Sequence, residues 1–124
     1  MLLRYFMNEL IEKLSIGKHP IAFELKSRKI HEIKHRLIEL KFVSIKFINT
    51  KGGTELGINI EDQFTCFNNA NFDECRGNIH VVGWCILNYY KVRCTADIDL
   101  ATKEGIGYLE LLNEVENVIF TTRH

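Results

Sequence analysis

A chain of 124 residues, 46% hydrophobic and 26% charged, has enough apolar content for one core in one domain. Its 16 basic and 16 acidic residues cancel, so it lacks the uniformly basic surface expected of a nucleic-acid binder. No stretch approaches the roughly 18 uninterrupted apolar residues of a membrane span. Arg4, Asn8, Glu9, Glu12 and Lys13 also break the apolar run a secretory leader needs, and the expectation is a cytoplasmic protein without a membrane partner.

In chain order, residues 2–16 predict an amphipathic helix, with Leu3, Phe6, Met7, Leu10 and Leu14 on one stripe and Gly17 placed to end it. Pro20 opens an extended run in which Ile21, Phe23 and Leu25 alternate with Ala22 and Glu24. Because proline cannot donate to a ladder, the run is assigned to a sheet edge. Ser27 offers an N-cap to a second helix over 28–41, with Ile30, Ile33, Leu37 and Leu40 as its buried seam. A strand over 42–48, a glycine-containing turn at 49–53 and a return strand carrying Leu56, Ile58 and Ile60 make a hairpin. Residues 61–77, rich in asparagine and phenylalanine, show no period and read as an irregular connection, a kind often given to function.

The central element is a second hairpin over 79–101. Val92, Cys94, Ala96, Ile98 and Leu100 alternate with Lys91, Arg93, Thr95, Asp97 and Asp99, the period of a strand with one buried and one wet face. With the turn at Asn88-Tyr89-Tyr90-Lys91, Ile79 faces Leu100, Cys85 faces Cys94 and His80 faces Asp99. Beyond it, Tyr108, Leu111, Leu112, Val115 and Val118 predict a helix over 108–117 and a short extended tail over 118–122. The expected fold is a single α+β domain, a mostly antiparallel sheet of hairpins with two or three helices packed mainly on one face.

The candidate chemistry is sparse. His31-Glu32-Ile33-Lys34-His35 is an H-E-x-x-H pentapeptide, which on a helix sets two imidazoles on one side. Over those five residues it resembles the zincin metallopeptidases, which implies zinc on His31 and His35 and a general base at Glu32. Lys34 departs from that pattern, no H-x-x-G-x-x-H extension follows, and five basic residues share the helix. A third ligand would have to come from His80, Glu114 or Glu116. Four cysteines without a C-x-x-C read as free thiols in a reducing compartment.

On the wet face of the central hairpin stand His80, Val82, Trp84 and Ile86 with Arg93, Asp97 and Asp99, and Val82, Trp84 and Ile86 are too apolar for an open surface, so either a helix covers part of this face or it is a recognition surface. Trp84 is the type of side chain that anchors interfaces. Phe67 and Phe72 supply aromatic surface from the irregular connection. The charge is also split: residues 26–53 carry eight basic and two acidic side chains, net +6, and residues 54–124 carry five basic and eleven acidic, net −6. A bipolar molecule steers a charged partner in spite of a neutral total. The reading from sequence is a non-enzymatic protein-binding module. Its most concrete form is a small bacterial, cytosolic, immunity-type inhibitor whose partner is another protein, such as a basic toxin or nuclease domain. No cofactor is expected, and the competing reading is a small zinc-dependent hydrolase built on His31, His35 and Glu32.

Overall fold

The computed structural model describes residues 2–23 and 29–114, with side chains from Glu9 to Asn113. The elements are α1 (Leu2–Ser15), β1 (His19–Phe23), α2 (Ile30–His35) running into a π-helical turn (Arg36–Leu40), β2 (Phe42–Phe47), β3 (Thr54–Ile60), a 3-10 turn (Asp62–Phe64), β4 (Ala70–Asn71), β5 (Arg76–Leu87), β6 (Tyr90–Asp99) and β7 (Glu104–Glu114). The predicted cap at Ser27, the end of the first strand at Leu25 and the tail over 118–122 lie outside the described residues.

All pairings are antiparallel, in the order β3-β2-β1-β7-β6-β5, and a further pairing of β3 with β5 closes them into a six-stranded barrel. The expected α+β class and antiparallel pairing hold, but the strands form a barrel rather than a sheet of hairpins with helices packed mainly on one face. The alternating apolar residues turn inward: Ile21, Ile45, Phe47, Ile58, Val81, Val92, Cys94, Ala96 and Ile98 are at most 0% exposed. Ile11 and Leu14 of α1 and Ile33 and Leu37 around α2 join the same cluster, so both helices add to the barrel's core. Leu40, placed in the seam by helical spacing, is instead 56% exposed, because the wider π turn rotates it off the stripe before Lys41 ends the segment at φ 56°.

Nor does β1 take the edge position assigned to it. It pairs with β2 on one side and β7 on the other, and Pro20, its second residue, uses only its carbonyl, which accepts from the Ile48 N–H.

Two further predictions are corrected. The predicted helix over 108–117 is strand β7 as far as Glu114, because β6 offers it a ladder from Tyr90 to Asp99. Its Leu- and Glu-rich composition favours helix only weakly, and tertiary pairing overrides that preference. In the central hairpin the turn is two residues, Asn88 and Tyr89, with Leu87 opposite Tyr90. Both turn residues have positive φ (51° and 71°), the conformation that matches the right-handed twist of the flanking strands. Every partner therefore moves by two positions: Ile79 faces Ile98, Cys85 faces Val92, and His80 faces Asp97. A shift of two leaves each side chain on its predicted face and changes only whom it meets.

The connection over 61–77 is more regular than its sequence suggests. After Ile60 the chain keeps to the free side of β5: the Glu61 N–H donates to the Val82 carbonyl, and Cys66 and His80 exchange two backbone hydrogen bonds. Ala70 and Asn71 then pair with Gly77 and Arg76. The excursion at Asp62–Phe64 is stitched back by Thr65, whose hydroxyl accepts from the Val82 N–H at 3.0 Å and lies 3.1 Å from the Val82 carbonyl.

Candidate functional site: the outer face of β5 and β6

Period-two alternation turns His80, Val82, Trp84 and Ile86 of β5 to the outer side of the barrel, beside Lys91, Arg93, Thr95 and Asp97 of β6, but Val82 is covered there and only 3% exposed, so it is not the open apolar surface expected from sequence. The cross-strand rows are His80 with Asp97, Val82 with Thr95, Trp84 with Arg93 and Ile86 with Lys91. Arg93 is the hub. Its Nε and Nη2 donate to the two carboxylate oxygens of Glu61 at 2.9 and 3.0 Å, and Nη1 lies 3.8 Å from Glu110 on β7. The hydrogen bond to Glu61 holds the guanidinium above its ordinary pKa; burial opposes this, and the charges of Glu61 and Glu110 add to it. The same guanidinium stacks 4.8 Å from the Phe64 ring, and the Lys91 ammonium sits 4.7 Å from the Trp84 ring.

The result is a face on which cations are already seated while apolar area stays open. Phe64, Ile86 and Ile106 are 47%, 50% and 42% exposed. At one end of the face, His80 Nδ1 and Asp97 Oδ1 are 2.7 Å apart. The pairing of His80 with Asp99 expected from sequence does not form. Asp99 lies opposite Asn78, and its Oδ1 accepts from the Ala101 N–H at 2.8 Å, which fixes the turn into β7.

The other predicted residues fall elsewhere. Phe67 and Phe72 pack edge-to-face with centroids 5.8 Å apart and lean on the core, while Lys34 of α2 lies 5.8 Å from the Phe72 centroid. His31, Glu32 and His35 line a shallow cavity of about 330 Å³ with Arg36 and Leu40. His35 Nδ1 meets Glu39 at 3.1 Å. Among the described residues no group of three or more His, Cys, Asp or Glu side chains is arranged to hold a metal ion. Of the third ligands considered, His80 belongs to the outer face, and the Glu114 side chain and Glu116 lie outside the described set.

All four cysteines are free. Cys85 and Cys94 are buried; burial pushes the Cys85 thiol up to about 11, and burial with the added charge of Cys85 pushes Cys94 up to about 12. Cys66 is exposed. Sequence reasoning missed Glu61 and Phe64 as members of this face, and it set Lys91 on the wet side without a partner in Trp84. Lys91 stood in the assumed turn, and Glu61 meets Arg93 across 32 residues of chain, for which no local spacing gives a signal.

No helix among the described residues is long and apolar enough to cross a membrane. No protein-family model matches this chain, and no curated protein matches it.

Proposed function

We propose that this chain is a protein-binding module whose contact surface is the outer face of β5 and β6, centred on Trp84 and Arg93. In its most concrete form it is an immunity-type inhibitor that covers a toxin domain or another enzyme. One observation carries the reading: on this face the cations are pre-seated on aromatic rings, and Arg93 is forked by Glu61, while Phe64 and Ile86 remain open. Rigid aromatic and arginine side chains held in place lose little freedom on docking, the property that makes them interface anchors. Asp97, Asp99 and Glu110, with the net −6 of residues 54–124, favour a basic partner.

The test compares wild type with a Trp84→Ala/Ile86→Ser variant as bait in lysate of the native host, followed by titration calorimetry with the purified prey. The expected result is one stoichiometric protein, bound at least about tenfold more weakly by the variant, since an interface anchor contributes roughly 1.4 kcal/mol or more. Equal binding by both baits, or no stoichiometric prey, removes the assignment.

A further inference from the structure

We infer that Cys66, His80 and Asp97 form a thiol-exchange site, in which Cys66 attacks a small, positively charged disulfide while His80 takes its proton.

The three side chains belong to three adjacent extended segments. Cys66 and His80 are directly opposed through two backbone hydrogen bonds of 2.8 and 3.0 Å. His80 and Asp97 are directly opposed on the other side of β5. Side chains of opposed residues point to the same side of a sheet with Cβ atoms about 5 Å apart, so the order across the outer face is thiol, imidazole, carboxylate. The Asp97 carboxylate holds Nδ1 of His80 at 2.7 Å, and Nε2 makes no hydrogen bond among the described residues. With the Nδ1 proton fixed toward Asp97, Nε2 is the basic nitrogen. Cys66 differs from the other thiols of the chain in being exposed: Cys85 and Cys94 are buried, and Cys75 is half-buried with Sγ donating to the Leu100 carbonyl at 3.4 Å.

The open face decides the reaction class. Acyl transfer needs fixed donors for an oxyanion. Displacement at sulfur needs only an unobstructed line of approach, a thiolate and a proton carrier. Here the Cys66 S–H proton passes to His80 Nε2, and the thiolate forms a bond to one sulfur of R–S–S–R. The S–S bond breaks, and the departing R–S⁻ takes the proton from His80. The products are Cys66–S–S–R and R–SH: Cys66 is oxidised and the departing sulfur is reduced. Charge sets the preference for R. The cations of this face nearest the row along the strands, Arg76 of β5 and Arg93 of β6, are each paired with a glutamate, Glu74 and Glu61, whereas Asp97 and Asp99 of β6 lie in and beside the row, so a cationic disulfide concentrates there and an anionic one is repelled.

The experiment treats the full chain with cystamine, a dication, or with 3,3′-dithiodipropionate, a dianion, and follows the mixed disulfide by intact and peptide mass. Expected at pH 7 and low salt are reaction at Cys66 before Cys75 and a clear advantage for cystamine that shrinks with salt. His80→Ala and His80→Gln should each slow the reaction about fivefold to tenfold at pH 7, because an unassisted thiol is only a few per cent ionised there. The loss should vanish near pH 9.5, where an ordinary thiol ionises unaided, and free imidazole should restore part of the rate in His80→Ala. Asp97→Asn, which removes a positioning group, should give a smaller loss with the same pH dependence. Equal rates for wild type and both His80 variants at pH 7, or equal rates for the two disulfides at low salt, would overturn the proposal.

Discussion

Replacing Gly83 by alanine tests how the barrel closes. Gly83 faces inward where β5 meets β3, directly opposite Ile60. A Cβ added there would lie 2.6 Å from the Asn59 carbonyl oxygen, 3.0 Å from its carbon and 3.1 Å from Ile58 Cδ1. Two of those atoms are backbone of the closing strand, which can retreat only by lengthening the seam. Forced overpacking of this kind costs about 1–3 kcal/mol. The loss of backbone freedom in the unfolded alanine chain offsets a fraction of that, leaving a net loss of about 2 kcal/mol. An unfolding entropy of roughly 2.1 cal/mol/K per residue, for a chain of 124 residues, converts this to a fall of about 8 °C in Tm.

Gly57→Ala is the control. The three atoms nearest its added Cβ all belong to the Phe42 ring, the closest being Cζ at 2.5 Å, and Phe42 is 42% exposed, so a side chain rather than backbone has to give way. That change should stay within about 0.5 kcal/mol, the range of surface substitutions. Thermal melts followed by circular dichroism distinguish the two. If Gly83→Ala melts within about 2 °C of wild type, the tight seam between β3 and β5 is not a determinant of stability.

The two buried thiols predict a pH dependence. Both are raised in the folded state, to about 11 and about 12, so the stability they confer is fully present below the ordinary value of 9.0 and is lost as pH rises toward 11–12; urea titrations at pH 8, 9.5 and 10.5 should show a progressive decline that is weaker in Cys94→Ala. Iodoacetamide at pH 8 should alkylate Cys85 and Cys94 at least about a hundredfold more slowly than Cys66 until urea unfolds the chain, in keeping with thiolate control of reactivity. Arg93→Met should destabilise more than Arg93→Lys, because methionine leaves the Glu61 carboxylate, 14% exposed, without either fork bond, whereas lysine still supplies a charge; urea midpoints check the order. Metal analysis after dialysis should find less than stoichiometric zinc, and one zinc per chain that disappears in His31→Ala and His35→Ala would restore the hydrolase reading.

Which residues face in and which face out was legible along the strands, because alternation over 79–100 has only one solution that buries Val81, Cys94, Ala96 and Ile98 together. Partner identity was not. The turn contains no glycine, and Tyr89 at φ 71° adopts a conformation its side chain does not advertise, so the sequence reading takes the four-residue turn Asn88–Lys91 in place of the two-residue one. For β7 the misleading signal was composition; the informative one was Gly105 and Gly107. A Cβ on Gly105 would fall 1.8 Å from the Asp97 carbonyl oxygen, which marks a position where another strand comes close. The pentapeptide at 31–35 was the most conspicuous motif, yet both its histidines are exposed, His35 meets Glu39, and among the described residues no set of three or more His, Cys, Asp or Glu side chains is arranged to hold a metal ion.

Closure and the outer face are one event seen from two sides. Once β3 docks on β5 at Ile60 and Gly83, the chain can only continue along the same edge. That course delivers Glu61 to Arg93 within the next residue and Cys66 to His80 a few residues later. Neither contact is encoded near its partner in sequence; both are consequences of where the barrel shuts. The two should therefore fail together. In Gly83→Ala, at a temperature where the variant is still folded, the seam is displaced, and the Cys66–His80 bridge follows directly after the bonds that Glu61 and Thr65 make to Val82. The His80-dependent share of Cys66 exchange at pH 7 should fall with the loss of stability, while exchange at pH 9.5 is unchanged. Full His80 dependence in a variant destabilised by the expected 8 °C would mean that the bridge stands without the seam, and the link between closure and surface chemistry would be severed.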